Sequence, residues 1–271
     1  MLDKRVRDGS CREARRGLEE ETPVSNTQLS VQLYTVRDAL AADLPGTLKR
    51  VAELGYTNVE LFGFVDLADQ YSEHLPAVGL SAPSAHARLI GQDTASIFAA
   101  AKKIGVSTVI DPHIHRELWK ERGDIEKQAA LLNAVALSGA DHGLTIGYHN
   151  HWWESENRFD GTTALEIFAD ALDPAVVLEV DTYWIEVGGV SAIELLGRLG
   201  DRVRLIHVKD GAVTQDDQDQ TAVGSGTLNI PGILAAAPSA RPVVELDGFN
   251  GDVFDALRDS FAYLTANGVT A

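Results

Sequence analysis

The sequence predicts a (β/α)8 barrel, also called a TIM barrel, in which eight parallel strands alternate with helices. From Gln28 onward, short runs of β-branched residues alternate with amphipathic segments rich in Ala and Leu. Eight such runs fall within roughly 245 residues, which is a typical length for this fold. A doubly wound open sheet is the alternative, but no glycine-rich dinucleotide fingerprint follows the first strand.

The predicted strands and helices follow in regular order. The strands cover residues 29–34, 58–61, 80–86, 108–111, 145–149, 176–181, 203–208 and 242–246. LPGTLKRVAELG is a predicted helix, because Leu44, Leu48, Val51 and Leu54 fall on one face and Gly55 is a typical C-terminal stop. Similar signals mark TASIFAAAKKIG, IEKQAALLNAVALSGADHG, SAIELLGRLG and DALRDSFAYLTANG.

Composition predicts a folded protein that binds neither nucleic acid nor membrane. Of 271 residues, 45% are hydrophobic and 23% are charged, so the chain can bury a large core. A formal charge of -17 repels nucleic-acid phosphates and anionic lipid surfaces. Cys11 is the only cysteine, which excludes a disulfide within the chain and fits a reducing compartment.

The N-terminal stretch differs in character from the rest of the chain. Residues 1–27 are dense in charge and lack the apolar centre of a signal peptide. We expect a mobile charged tail there, or residues added upstream of the natural start, followed by a single catalytic domain over residues 28–271. No apolar run approaches the roughly 20 residues needed to cross a bilayer, so we expect a cytoplasmic protein.

The predicted strands end in residue types that bind divalent metals. In a barrel of this type the active site lies at the C-terminal ends of the strands. The candidates in chain order are Glu60, His86, Asp111 followed by His113 and His115, His149 with His151, Asp181, His207 and Glu245. Strands five to eight are neighbours in a barrel, so the candidate side chains at their ends, from His149 to Glu245, can converge.

Alternation along strands five to eight selects four side chains. Successive residues of a strand point to opposite faces, so His149, Asp181, His207 and Glu245 can all face inward above the barrel core. Two imidazoles and two carboxylates make a mixed nitrogen and oxygen site suited to a divalent ion. We expect Mn²⁺, with Zn²⁺, Co²⁺, Fe²⁺ and Mg²⁺ as alternatives.

Seven motifs follow one another along residues 28–264. They are VQLYTVRDAL, AELGYTNVELFG, YHNHWWE, LEVDTYWIEVGG, LIHVKDG, AVGSGTLN and VVELD. In this order they resemble the sugar phosphate isomerase/epimerase group of the xylose isomerase-like barrel superfamily. The resemblance implies four metal ligands on strands five to eight, usually Glu, Asp, His and Glu, which match His149, Asp181, His207 and Glu245. It also implies a homo-oligomer, since relatives often form dimers or tetramers.

Two positions depart from the commonest pattern of that family. His149 stands where relatives often have a catalytic Glu, and a metal-bound imidazole has no spare lone pair facing a substrate. Glu245 alone therefore keeps the capacity to be both ligand and base. Trp184 stands three residues after Asp181, where many relatives have a substrate-binding His.

Other side chains are expected to complete the reaction site. We expect Glu245 to be the base and His151 or Glu154 to return the proton. His151 can instead act only by orienting His149 as an outer hydrogen-bond partner. For Glu60 the alternatives are contact with the sugar and a salt bridge to Arg37. The expected substrate contacts are Glu60, His86, Trp152, Trp184 and Lys209.

The prediction that results is an enzyme, a divalent-metal-dependent sugar isomerase or epimerase. Its substrate would be a keto sugar, phosphorylated or not, or a cyclitol, and the reaction would pass through a metal-stabilised enediolate. The runner-up is a lyase or dehydratase on the same site, of the inosose dehydratase or 3-keto-glycoside β-elimination type. An endonuclease of the same superfamily ranks lower, because it needs a basic face. A sugar-binding protein without turnover is the last alternative.

Overall fold

Eight parallel strands close into a barrel in the computed structural model, which describes residues 28–271. In chain order the strands are β1 Ser30–Gln32, β2 Asn58–Phe62, β3 Ser81–His86, β4 Thr108–Asp111, β5 Thr145–His149, β6 Val177–Asp181, β7 Val203–Val208 and β8 Arg241–Val244. β8 pairs with β1 and closes the barrel, as Ser30 lies beside Val243. The predicted barrel is confirmed, while the predicted tail at residues 1–27 lies outside the described residues.

Five strands differ from the predicted bounds, and the first and the last of them end two residues earlier than predicted for local reasons. The first strand stops at Gln32, because its side chain accepts a hydrogen bond from the N–H of Tyr34 and starts a 3-10 turn over Leu33–Val36. The eighth strand stops at Val244, so Glu245 lies just beyond the strand. Glu245 therefore belongs to the loop at the C-terminal end of the barrel.

Helices surround the barrel. They are α1 Arg37–Ala42, α2 Leu44–Glu53, α3 Ala68–Ala77, α4 Thr94–Ile104, α5 Arg122–Asp141, α6 Trp153–Glu156, α7 Ala164–Ala171, α8 Thr182–Val187, α9 Ala192–Leu199, α10 Ile230–Ala236 and α11 Val253–Ala266. The five predicted helices are present as α2, α4, α5, α9 and α11. Within residues 28–271, no helix combines the length and apolar character needed to cross a membrane.

Shorter elements occupy the loops. Four further 3-10 turns cover Val65–Leu67, Arg116–Trp119, Gly200–Arg202 and Asp217–Asp219. Two small antiparallel ribbons pair Arg158–Phe159 with Thr162–Thr163 and Asp210–Gly211 with Gln220–Thr221.

Helix ends follow the local sequence. Asp43 caps α2 by accepting the N–H of Gly46, and the chain leaves this helix through Gly55, whose φ of 107° suits glycine. At α7, Thr163 and Glu166 form a reciprocal capping box. These caps satisfy backbone groups that a helix end leaves without partners.

The barrel interior is apolar only across its middle. Ile110, Leu205 and Val243 form a small buried cluster there, and Val177 packs against it. Gly147 on β5 has no room for a side chain, because a Cβ would lie 2.5 Å from Cδ1 of Ile110. This layer separates a polar region at the C-terminal strand ends from a second polar region at the N-terminal ends.

Candidate metal centre

The four predicted ligands lie together at the C-terminal ends of β5 to β8. His149, Asp181, His207 and Glu245 are all buried, and each offers one donor atom within 4.8 Å of the other three. Nε2 of His149 is 3.9 Å from Oδ2 of Asp181, and Nδ1 of His207 is 2.8 Å from Oε2 of Glu245. The inward alternation predicted for these strands therefore holds at the site.

The donor set fits a divalent ion. Donors that bind one ion at about 2.1 Å lie roughly 3–4 Å apart, close to the spacing of these four residues. Oδ1 of Asp181 accepts the N–H of Trp184, whereas Oδ2 is buried and forms an ion pair with Lys209, whose Nζ lies 2.8 Å away. The two carboxylates and two imidazoles of this set are the donor groups that bind divalent ions such as Mn²⁺ and Zn²⁺.

The far nitrogens of the two imidazoles are held by carboxylates deeper in the barrel. Nδ1 of His149 lies 3.1 Å from Oε2 of Glu179, and Nε2 of His207 lies 2.8 Å from Oε1 of Glu60. Such pairs fix the orientation and tautomer of a metal-binding histidine. The arrangement leaves Nε2 of His149 and Nδ1 of His207 facing Asp181 and Glu245.

A second group of possible ligands lies beneath the first. His86, His149, Glu179 and His207 also offer donor atoms within 4.8 Å of one another. However, Oε2 of Glu179 lies 2.5, 3.1 and 3.2 Å from nitrogens of His86, His149 and His207, which are hydrogen-bonding distances. We therefore interpret Glu179 as the shared acceptor for the three rings.

Burial and charge set different protonation states for the three histidines. Burial lowers the pKa of His149 well below its usual value, so this ring is neutral and ready to bind a metal. Burial also opposes charge on His86, but Glu60 and Glu179 outweigh it and raise the pKa to about 10. Glu179 and Glu245 likewise raise the pKa of His207 well above its usual value against the effect of burial. His207 must therefore release a proton before Nδ1 can bind a metal.

Lys209 is a buried cation within this site. Its Nζ lies 2.8 Å from Oδ2 of Asp181, 2.7 Å from Oε2 of Glu245 and 2.6 Å from Oδ2 of Asp247. Burial lowers the pKa of Lys209, but these three carboxylates raise it well above the usual value. The structure places Lys209 against the carboxylates and not at the cavity surface, where a substrate contact was expected.

A cavity of about 590 Å³ opens beside the four predicted ligands, two of which line it. Five residues singled out from the sequence line it: His86, His113, His149, His151 and Glu245. His115 instead caps the turn at Arg116–Trp119. The volume lies within the range of pockets for small organic ligands.

Sequence reasoning missed several residues that line this cavity. Arg88 and Asp247 come two residues after His86 and Glu245, so strand alternation could have found them. The aromatic side chains of Tyr34, Phe62 and Phe64 also line the cavity. Tyr34 and Phe64 lie beyond the ends of β1 and β2, and Phe62 is the last residue of β2, one residue past the predicted strand end.

Two predicted carboxylates do not reach the cavity. Glu60 is fully buried, where Oε1 contacts Gln32 and His207, so it does not contact a sugar directly. The proposed salt bridge from Glu60 to Arg37 is wrong, because Arg37 donates to the carbonyl oxygens of Tyr34 and Asp247.

Glu154 is also fully buried. Its Oε1 accepts from the hydroxyl of Tyr148 at 2.7 Å, and its Oε2 accepts from the backbone N–H of His151 at 3.0 Å. Both carboxylate oxygens are thus engaged in hydrogen bonds that stabilise the loop after β5. The structure gives Glu154 no access to a substrate in the cavity.

Two predicted tryptophans also lie outside the cavity lining. Trp152 lies under the guanidinium of Arg116, which is 4.5 Å from the ring centre. Trp184 is buried, with Nζ of Lys209 5.6 Å from its ring centre. We therefore do not assign sugar stacking to either ring.

The family is shown by comparison with known proteins. A model of the xylose isomerase-like TIM barrel matches residues 68–241. The chain belongs to the xylose isomerase-like TIM barrel family. Comparison with curated proteins gives no match in sequence.

Solved structures share the fold of this family member over nearly its whole length. A sugar phosphate isomerase/epimerase from Parabacteroides distasonis ATCC 8503 has 24% identity and a TM-score of 0.76, covering 92% of this chain and 97% of that chain. The probable 3-DHS dehydratase AsbF from Bacillus anthracis has 13% identity and a TM-score of 0.70, covering 88% and 99%. The IOLI protein with a binding zinc atom has 16% identity and a TM-score of 0.66, covering 89% and 98%.

Proposed function

We propose that this protein is a divalent-metal-dependent isomerase or epimerase of a small keto sugar or cyclitol. The observation that carries the proposal is the convergence of His149, Asp181, His207 and Glu245 beside a cavity of about 590 Å³. A divalent ion held by these residues would stabilise negative charge that develops on carbonyl and hydroxyl oxygens of the substrate. Mn²⁺ is the ion we propose, since two nitrogen and two oxygen donors suit it.

Glu245 is the proposed base. It lines the cavity, and Lys209 and His207 lower its pKa well below the usual range although burial opposes this. The carboxylate is therefore ionised at neutral pH and can accept a proton. It would remove the proton from the carbon next to the substrate carbonyl, leaving the electron pair to form an enediolate.

His151 is the proposed proton donor. Its side chain is 25% exposed and lines the same cavity, while its ring stacks on Trp153 with centres 4.3 Å apart. Glu154 accepts a hydrogen bond from the backbone N–H of His151 and so fixes the start of the loop after β5. Delivery of a proton from His151 to a different face or carbon of the enediolate would complete epimerisation or isomerisation.

The cavity and the comparisons support a polar sugar as substrate. Arg88 is the one arginine among the described lining residues, and its guanidinium suits a phosphate or carboxylate at the outer end of a substrate. A fold shared with a sugar phosphate isomerase/epimerase supports the substrate class. The shared fold of the IOLI protein with a binding zinc atom supports a divalent ion.

Isotope exchange tests the proposal directly. Purified protein supplied with Mn²⁺ would be incubated in D₂O with ketohexoses, their phosphates and inososes, and products followed by NMR and mass spectrometry. We expect one substrate to give an isomeric product that carries deuterium next to the carbonyl. Absence of both exchange and isomeric product across the panel, with metal bound, would count against the proposed reaction.

A lyase or dehydratase is the second candidate, and the arrangement of carboxylates favours it specifically. Glu245 and Asp247 are the acidic residues among the described cavity lining, and both follow β8. In this reaction Glu245 removes the same proton, the C–O bond at the next carbon breaks, and hydroxide leaves as water with a proton from His151. The shared fold of a probable 3-DHS dehydratase supports this alternative. The D₂O experiment separates the two, because elimination changes the product formula.

A further inference from the structure

A second cavity, named the lower pocket, lies at the N-terminal ends of β4 to β8. Its volume is about 390 Å³, and its lining includes Thr108, Thr145 and Val177, which are the first residues of β4, β5 and β6. The cavity of about 590 Å³ beside the proposed metal ligands is here named the catalytic cavity. Among the described residues, none lines both this cavity and the lower pocket. The lower pocket is therefore a separate site, below the apolar layer that contains Leu205.

The lower pocket concentrates positive charge in an acidic protein. Arg202, Arg204 and Arg241 line it, and Asp201 is the acidic residue among its described lining. The whole chain carries a formal charge of -17, so a cavity lined by three guanidinium groups has the opposite sign of charge from the protein as a whole. A cavity with this charge attracts anions.

Two of these arginines are fixed by the fold. Arg241 is the first residue of β8 and is only 9% exposed. Burial lowers its pKa, an effect that Glu60 partly opposes. Arg202 donates from Nη1 and Nη2 to carbonyl oxygens of Ala169, Asp173 and Val176, while its buried Nε has no hydrogen-bond partner among the described residues. The backbone contacts thus fix the guanidinium of Arg202 as a positive charge at the pocket, and burial restricts the side chain of Arg241.

A buried hydroxyl supplies a second, independent indication of a ligand. Ser84 is 1% exposed and lines the lower pocket, and its Oγ has no hydrogen-bond partner among the described residues. Burial of a polar group without a partner is unfavourable, and such groups usually contact a ligand or water. Ser84 and the arginines line the same pocket, and both hydroxyl and guanidinium groups donate hydrogen bonds to oxyanions.

We propose that the lower pocket binds a small phosphate-bearing ligand. Guanidinium forks and hydroxyl donors match the several acceptor oxygens of a phosphate group. The volume of about 390 Å³ leaves space for a short organic part beside the phosphate. Inorganic phosphate and a small phosphate ester share this chemistry, and the experiment distinguishes between them.

Calorimetric titration tests the proposal on the metal-loaded protein after removal of free metal. The probes are inorganic phosphate and glycerol 3-phosphate at constant ionic strength. Arg204→Gln removes an exposed guanidinium at the pocket, and we expect it to weaken phosphate binding about tenfold. Ser84→Ala should weaken it by about threefold. Tighter binding of the ester than of inorganic phosphate would identify an organic phosphate as the ligand.

Two controls separate this site from the catalytic cavity. Arg88→Gln removes the arginine of the catalytic cavity, and Arg116→Gln removes an exposed arginine elsewhere, so neither should alter binding in the lower pocket. A crystal soaked in phosphate should show the anion beside Arg204. If Arg204→Gln and Ser84→Ala bind phosphate as tightly as the parent protein, or if Arg88→Gln alone abolishes binding, the proposal is wrong. This outcome leaves the proposed sugar chemistry unaffected.

Discussion

Nζ of Lys209 lies 2.7 Å from Oε2 of Glu245, a proposed metal ligand. The same ammonium group contacts Asp181 and Asp247, so one buried cation neutralises part of a group of three carboxylates. Lys209 and a divalent ion would therefore stabilise the same two ligand carboxylates. Removal of one partner from a buried ion pair typically costs about 3–5 kcal/mol, because the other charge remains buried.

The first prediction concerns Lys209→Met. We expect this variant to lose about 3–5 kcal/mol of unfolding free energy in the presence of EDTA, and less when Mn²⁺ is bound. Urea unfolding under both conditions measures the difference. Lys120→Met is the control, because Lys120 pairs with Glu117 on the surface, where solvent screens the pair, and its loss should leave the unfolding free energy nearly unchanged. Equal losses for Lys209→Met with and without Mn²⁺ would contradict the idea of shared ligands.

The second prediction concerns the metal itself. Asp181→Ala and His207→Ala each remove a donor from the four-residue set, so the purified variants should contain little metal by elemental analysis. His115→Ala is the matched control, since this exposed histidine lies outside the set and should leave the metal content unchanged. Stoichiometric metal in both ligand variants would show that the assigned set is wrong.

The third prediction concerns the base. Glu245→Gln keeps the size of the side chain but cannot accept the substrate proton, and general bases typically contribute about 10²–10⁴-fold to rate. We expect kcat to fall by at least this factor and deuterium exchange from D₂O to stop, even in variant molecules that retain metal. Exchange at the parent rate in metal-loaded Glu245→Gln would assign the base to another residue.

The fourth prediction distinguishes the roles of the two buried glutamates that contact residues of β5, Glu179 and Glu154. Glu179→Gln removes the carboxylate that orients the rings of His149 and His207, so metal affinity should fall about 10–100-fold. Glu154→Gln disturbs the contacts with Tyr148 and His151, which should cost about 1–3 kcal/mol of stability with little change in metal affinity. Metal titration and urea unfolding of both variants check this division. Similar metal affinities for the two would oppose the orienting role of Glu179.

The fifth prediction is a pH dependence at the start of α7. Burial raises the pKa of Glu166, but Arg198 and Thr163 outweigh it and lower the pKa from its ordinary value of 4.5. A carboxyl with a lower pKa in the folded state contributes stability above pH 4.5 and loses that contribution as the pH falls through the folded value. Glu166→Gln should therefore be less stable than the parent at pH 7, with a difference that shrinks below pH 4.5.

Thermal unfolding from pH 7 to pH 3 measures this difference. Glu126→Gln is the control, because Glu126 is exposed and its contact with Arg122, at 4.0 Å, is long. Its difference from the parent should be small at every pH. A Glu166→Gln difference that grows as the solution becomes more acidic would contradict the lowered pKa of Glu166.

Sequence alone predicted much of the fold because its signals are local and repeated. Alternation between β-branched runs and amphipathic segments located every strand, and three of them, at residues 108–111, 145–149 and 203–208, have the predicted bounds. Strand alternation also brought the four candidate ligands to one face. Their roles as ligands stay a prediction until metal is measured.

The limits of the sequence are visible at Glu154 and Glu60. A short helix, Trp153–Glu156, turns Glu154 toward Tyr148 and away from the cavity, and strand alternation does not extend into such a turn. Glu60 faces inward as expected, but its depth below His207 depends on how the strands tilt when the barrel closes. Periodicity gives the face of a strand that a residue occupies, not its height within the barrel.

The contacts of His207 have a consequence for how this protein is made in the cell. Its ring meets Glu60 from β2 on one side and Glu245 from the loop after β8 on the other, each at 2.8 Å. Residues from the second strand and from beyond the last strand thus complete one site. A ribosome must release almost the whole barrel before these groups can meet, so the proposed metal ion would bind only after synthesis and could not guide its early steps.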